Sequence, residues 1–299
     1  MDLHFVVRIA VPSLVFLLMT IVGTDLTPAG FSRIGRYPLV VAAATLAQVL
    51  VLPAVSAALI LAFRPEPLLT AGLILLAACP AGAASNVYTY LAGANIALGV
   101  TLTAVSSVLA VGTLPLVASI GFRFLLADTQ RVEVPIHVFA GQLALFLLVP
   151  IALGMGARGR WPVWIAAHRP ALQAASLAGT VALLASVAWG EADLFLRSLG
   201  PTAAIALSFT VLTMLAGWLV GRALSDAAAD HFTLLIEFST RNLAIATVVA
   251  VTLLGRPEFV VVAAAFFIVQ SAVALSAVGF FRLRGVPPRS DASSTTISR

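Results

Sequence analysis

The sequence predicts an all-α, polytopic membrane protein of about nine transmembrane helices, and three observations carry that expectation. Of its residues, 61% are apolar and only 10% charged, with a mean hydropathy of +1.08; a soluble globule of this size needs more polar surface. Apolar runs of about 18 residues or more recur along nearly the whole chain, each long enough to cross a hydrocarbon core of roughly 30 Å. All 17 basic residues are arginines, gathered mostly between the apolar runs. The isoelectric point near 10.6 therefore reflects charged loops and argues against a nucleic-acid partner.

Charge and Gly/Pro punctuation divides the first half into spans near Phe5–Val22, Pro38–Phe63, Leu68–Leu91, Ile96–Leu126 and Pro135–Met155. The second half continues with Ala171–Trp189, Pro201–Val220, Phe232–Leu254 and Phe259–Phe281. These form one membrane domain over residues 1–281, with one repeat over about 4–126 and another over about 171–281. The segment 282–299 is rich in Ser, Thr, Pro and Arg and reads as a disordered tail. The first apolar run lacks a small-residue cleavage site and is expected to be retained.

An odd number of spans puts the termini on opposite sides. One set of loops collects Arg33, Arg36, Arg158, Arg160, Arg169, Arg222, Arg282, Arg284 and Arg289, and the other holds Arg64, Arg123, Arg131, Arg197 and Arg256. The positive-inside bias then predicts a multi-pass protein of a cell (inner) membrane, N-terminus outside and C-terminus cytoplasmic.

Enzymatic chemistry has little support. Cys79 is the single cysteine, which excludes an internal disulfide or cysteine-cluster metal site. The four histidines (His4, His137, His168 and His231) lack metal-ligand spacing, and no nucleophile has a visible base and orienting residue. No catalytic residue and no bound cofactor are expected.

Two spans are unusual, each third in its half. The third carries Cys79-Pro80-Ala81-Gly82-Ala83-Ala84-Ser85-Asn86, where proline removes a helix hydrogen bond and Ser and Asn offer partners to freed backbone. The eighth carries Glu237, Ser239, Thr240, Arg241 and Asn242 in otherwise apolar sequence. Interrupted spans in matching places point to a midplane binding site.

A carboxylate or guanidinium deep in a span costs roughly 2.5–3.5 kcal/mol even on lenient scales. Glu237 and Arg241, four apart, share a helical face and could form a structural ion pair. Asn242, Thr240 and the broken third span supply more polar groups than pairing requires, which favours a functional site. Ser85, Asn86, Thr89, Thr101 and Thr103 add hard oxygen atoms that suit an alkali cation rather than a transition metal. Gln48, polar in mid-span, reads equally as an interhelical hydrogen bond or a ligand.

The run Cys79 to Val87 followed by Thr89-Tyr90-Leu91-Ala92, with Leu26-Thr27-Pro28, Phe31 and Glu237 through Asn242 at matching spacings, resembles the bile acid:sodium symporter family. The resemblance implies two inverted repeats arranged as a panel and a core domain. Two broken helices then cross at the core centre and bind sodium behind an organic-anion site. It also implies a first sodium site of Ser85, Asn86, Thr103 and Glu237, with Gly99 where the family often has serine. A second site would use Gln48, Glu237 and carbonyls near Phe238 and Thr240, with Arg241 in place of a glutamine ligand.

A guanidinium has donors only and cannot ligate a cation. The expectation is that Arg241 fills the second cation position and neutralises Glu237, so that sodium coupling is reduced, passes to protons or is lost. Ser239, where relatives often have glycine, makes the eighth-span break less plainly written. Half-helices restarting after Asn86 and Asn242 would turn their positive ends toward the cavity and favour a small organic anion, bile-acid-like or smaller. Arg241, Asn242, Thr240 and Thr89 are the substrate or gating candidates. Expected partners are that anion and the lipid bilayer, with oligomeric state and substrate identity left open. The rival readings are a sodium/proton antiporter-like exchanger and a non-transporting membrane sensor or scaffold.

Overall fold

The structure is a computed structural model describing residues 3–26, 38–126 and 136–284, with side chains from residue 9 onward. Thr27, Pro28, Phe31, Arg33, Arg36, Arg131, Arg289, the side chain of His4 and the tail from 285 lie outside the described residues. Every described element is helical: α1 (Leu3–Asp25), α2 (Pro38–Phe63), α3 (Pro67–Ala78), α4 (Ala83–Ala92), α5 (Ile96–Leu125), α6 (Ile136–Arg160), α7 (Pro162–Gly190), α8 (Ala192–Leu224), α9 (Ala228–Ser239), α10 (Leu243–Leu253) and α11 (Phe259–Leu283). Six of them, α2, α5, α6, α7, α8 and α11, are long and apolar enough to cross a membrane. Ile9–Asp25 of α1, α3 and α10 are shorter apolar helices.

Local chemistry sets the helix ends. Pro80 has no N–H and biases its predecessor away from helix, and Cys79 closes α3 with extended ψ 147°. Helix α4 ends on Gly93, whose left-handed φ of 70° lets its N–H reach the carbonyls of Thr89 and Tyr90. Asn95 then caps α5 by accepting from the Leu98 N–H at 3.1 Å. Asn242 does the same for α10, accepting from Ile245 N–H at 3.1 Å.

Four boundaries differ from the expected ones in ways that matter. The expected sixth and seventh spans, α7 and α8, begin at Pro162 and Ala192, so Pro170 and Pro201 lie inside them and Arg169 and Arg197 sit on helix rather than loop. Membrane helices tolerate interior proline where neighbours or local adjustments satisfy the freed carbonyl. The half-helix α4 restarts at Ala83, right after Gly82, and not after Asn86. The last helix continues through Leu283, slightly into the expected tail.

Two packed groups result. Helix α1 lies against α6 and α7. Its crossing with α6 needs glycine: a Cβ on Gly154 would stand 2.1 Å from the Thr20 carbonyl oxygen, and one on Gly23 2.3 Å from that of Ile151. Asp25 binds Arg169 at 2.8 Å and Gln173 at 3.1 Å, and Arg158 donates to the Thr24 carbonyl at 2.7 Å, tying α1, α6 and α7 at one end. In the second group α8 packs on α2, α9 and α11, while α3 packs on α2, α5 and α11. Gly217 and Gly221 let α8 approach the α9 backbone, a Cβ at Gly217 falling 2.4 Å from the Leu234 carbonyl oxygen. Large apolar side chains such as Leu39, Leu46, Phe124 and Trp189 point outward, as a lipid-facing surface requires.

Gly154→Ala is expected to destabilise the protein by about 1–3 kcal/mol through overpacking, read as a lower thermal midpoint in detergent. Gly112→Ala, where a Cβ meets nothing within 4 Å, should be neutral or slightly stabilising.

Candidate functional site

The two interruptions meet. Between α3 and α4 the chain runs extended through Cys79–Gly82, and between α9 and α10 through Thr240–Asn242. Ala81 and Arg241 pair as an isolated antiparallel bridge, in which Gly82 N–H donates to the Thr240 carbonyl at 3.2 Å and Asn242 N–H to that of Pro80 at 2.9 Å. A Cβ on Gly82 would lie 2.6 Å from the Arg241 carbonyl oxygen, so only glycine allows this approach. Each break thus satisfies backbone groups that the other one frees.

Glu237, fully buried, points its carboxylate to one side of this crossing. Ser85 donates to its Oε1, and Thr103 Oγ1 lies 3.2 Å from both oxygens. Asn86 Oδ1 is buried beside them without a hydrogen-bond partner. A Cβ on Gly99 would stand 3.2 Å from that Oδ1 and 3.4 Å from Glu237 Oε1. Ser85, Asn86, Thr103 and Glu237 are therefore brought together around Gly99, a cluster of hard oxygens whose donor set fits an alkali cation.

Arg241 faces the other way. Its guanidinium donates to the Glu237 carbonyl and, from Nη1 at 3.3 Å, to the Cys79 carbonyl; its Nε has no partner. Ion pairs join Asp25 to Arg169 and Arg256 to Glu258, and none joins Glu237 to Arg241. The structural Glu237–Arg241 ion pair open from their spacing is thus not formed. The carbonyls instead belong to the C-terminal ends of α9 and α3, where partial negative charge collects. Gln48 lines a small cavity beside Arg241 with both amide atoms unpartnered.

Thr240 accepts from Gln270 at 3.3 Å, Asn242 Nδ2 reaches Met19 Sδ at 3.5 Å, and Thr89 Oγ1 is buried and unpartnered. Thr89 is not among the residues of the cavity on the α1/α7 side, where Arg241 and Asn242 meet Asp25, Gln173, Ser176 and Gln270. That cavity leaves about 40 Å³ of interior space. Sequence reasoning missed Gln270, Gln173 and Asp25. Gln270 carries the same mid-span polar signal as Gln48, whereas Asp25 and Gln173 sit near segment ends where polar residues are ordinary.

Residues 12–198 match the model of the sodium bile acid symporter family, well over half of the chain. The chain belongs to that family. It is similar to a probable sodium/metabolite cotransporter, BASS2, chloroplastic, of Oryza sativa subsp. japonica, at 29% identity over 90% of this chain and 63% of the relative. An uncharacterized sodium-dependent transporter of Bacillus subtilis, YocS, is 27% identical over 76% of this chain and 68% of its own length. The ileal sodium/bile acid cotransporter of Oryctolagus cuniculus is 27% identical over 46% of this chain and 39% of the relative. The chain spans less than two thirds of the plant relatives' length. Membership of this family, together with the long apolar helices, makes the chain a multi-pass membrane protein.

Thr103→Val keeps the side-chain shape but removes a donor to the buried carboxylate, and should cost about 1.5–3 kcal/mol in thermal unfolding. Thr113→Val, whose hydroxyl bonds its own helix at an exposed position, should cost close to nothing.

Proposed function

We propose that this symporter-family protein carries small organic anions, bile-acid-like or smaller, across a cell membrane by alternating access. Its nine spans form two inverted repeats, with the N-terminus outside and the C-terminus cytoplasmic. The group α1, α6 and α7 acts as the panel and the remaining helices as the core, and one rocks against the other around the crossing of the two breaks. The α1/α7-side cavity, at about 40 Å³, is far below the several hundred Å³ of an organic-ligand pocket. Substrate loading therefore needs the panel to move away from the core.

In this proposal Ser85, Asn86, Thr103 and Glu237 hold one sodium ion and Arg241 stands permanently in the place of a second. The observation that carries it is the guanidinium lying between the carbonyls of Cys79 and Glu237, the partners a desolvated cation would seek at two helix C-termini. Gln48, beside it, is the remaining candidate ligand of that position. On the anion side Arg241, Asn242 and Thr240 sit at the start of α10, whose N-terminal end favours negative charge. Thr89 acts in gating, one turn after Ser85 on α4.

The experiment is uptake of labelled taurocholate and a panel of small carboxylates into proteoliposomes, with and without a sodium gradient, for wild type and Arg241→Gln. The expected outcome is sodium dependence with a Hill coefficient of about 1, or none, in the wild type, rising to about 2 in the variant. A wild type that already responds to sodium with a coefficient near 2 refutes the surrogate role of Arg241. Uptake of no tested anion by either protein, with or without sodium, refutes the carrier itself.

A further inference from the structure

The oxygen cluster at Glu237 lies close to a second cavity that the transport reading leaves unused. This cavity, of about 280 Å³, opens where α2 begins, α5 begins and α8 turns into α9, and is lined by Asn95, Leu98, Thr101, Ser225, Asp226 and Asp230. Asp226 is exposed at its mouth. Asp230, buried, accepts from Asn95 Nδ2 at 2.7 Å and from Ser225 Oγ at 2.7 Å. This cavity is distinct from the α1/α7-side cavity, with which it shares no lining residue.

A polar file connects this cavity to the cluster. On α9, Asp230, Thr233 and Glu237 recur at helical spacing and share one face. Thr233 Oγ1 accepts from the Asn95 N–H at 3.1 Å, at the very start of α5. The position of a Cβ on Gly99 is 3.5 Å from Thr233 Cγ2 and 3.2 Å from the unpartnered Asn86 Oδ1. Gly99 therefore touches the file on one side and the cluster on the other, and its neighbour Leu98 lines the cavity itself. Cavity and cluster are thus joined by a short chain of contacts, Asn95 to Thr233 and Thr233 to Gly99, and Gly99 adds no side chain to it.

We infer that, on the membrane face where α8 turns into α9, the cation held by Ser85, Asn86, Thr103 and Glu237 exchanges through its own door, the Asp226/Asp230 cavity between Gly99 and Thr233, separately from the anion's route. This rests on the proposal that the cluster binds sodium. Asp226, exposed at the mouth, favours a cation over an organic anion. Hydroxyl and carbonyl groups along the file offer a desolvating ion successive oxygen contacts. The anion's cavity, with Arg241 and Asn242, carries the opposite preference.

The test is chemical access. In the full-length purified protein with Cys79→Ala, the substitution Gly99→Cys puts a thiol between cavity and cluster, and its labelling by the cationic reagent 2-aminoethyl methanethiosulfonate is followed by mass spectrometry. The door predicts ready labelling that sodium slows relative to choline, and that Thr101→Trp, filling the cavity, slows by about tenfold or more. Asp226→Asn, at an exposed site, should slow the cationic reagent severalfold while leaving neutral methyl methanethiosulfonate unaffected, and serves alone if the tryptophan variant fails to fold. No labelling, or labelling indifferent to both substitutions, overturns the door. The sodium reading is checked apart, by whether sodium raises the thermal midpoint of the wild type above that in choline: no rise sinks the site, whereas a rise with indifferent labelling sinks only the door.

Discussion

Two backbone hydrogen bonds hold the centre of this molecule: Gly82 N–H to Thr240 and Asn242 N–H to Pro80. In lipid an unpaired peptide group costs several kcal/mol, so a helix can be interrupted at depth only where something else takes up its donors and acceptors. Here each interruption is the other's partner, and neither would be tolerable alone. Everything chemical follows from that mutual arrangement. It leaves the carbonyls of Cys79 and Glu237, at two helix C-termini, to the Arg241 guanidinium, and starts two helix N-termini after Gly82 and Asn242. It also brings Ser85 and Glu237, 152 residues apart, into hydrogen-bonding contact.

The sequence makes the first interruption legible and the second nearly illegible, and the physical reason is instructive. Pro80 and Gly82 mark the first, yet Pro12, Pro53, Pro115, Pro170 and Pro201 all lie inside continuous helices. Proline removes one donor wherever it occurs. What turns Pro80 into a break is a partner strand of backbone that only the tertiary structure supplies. Thr240-Arg241-Asn242 contains neither proline nor glycine and is betrayed only by polar residues too costly for a lipid-facing helix. Asn242 as a helix cap fits a residue type that caps well, whereas Ser85 and Asn86, expected before the restart, turn out to lie in the first turn after it.

Side-chain partnerships were less legible than positions. The spacing of Glu237 and Arg241 allows an ion pair, and the two side chains instead turn to opposite sides, one to hydroxyls and the other to carbonyls. Spacing fixes which face a residue occupies, while the break between them unwinds the helix that would have stacked them. Gln270 and Gln48 carry an equal signal, a lone amide in an apolar span, and their different surroundings come from which neighbours happen to pack there. The Asp25–Arg169 contact links residues 144 apart and has no local signature at all.

The guanidinium at the crossing is tethered to the chain, and that alters the electrical character of the proposed transport. A carrier that moves a monovalent anion with two sodium ions translocates one net positive charge per cycle, so the membrane potential contributes about 2.3 kcal/mol per 100 mV to accumulation. With one of those charges covalently retained, the same cycle is electroneutral. The accumulation limit is then set by the chemical sodium gradient alone, and the protein would work alike in polarised and depolarised membranes.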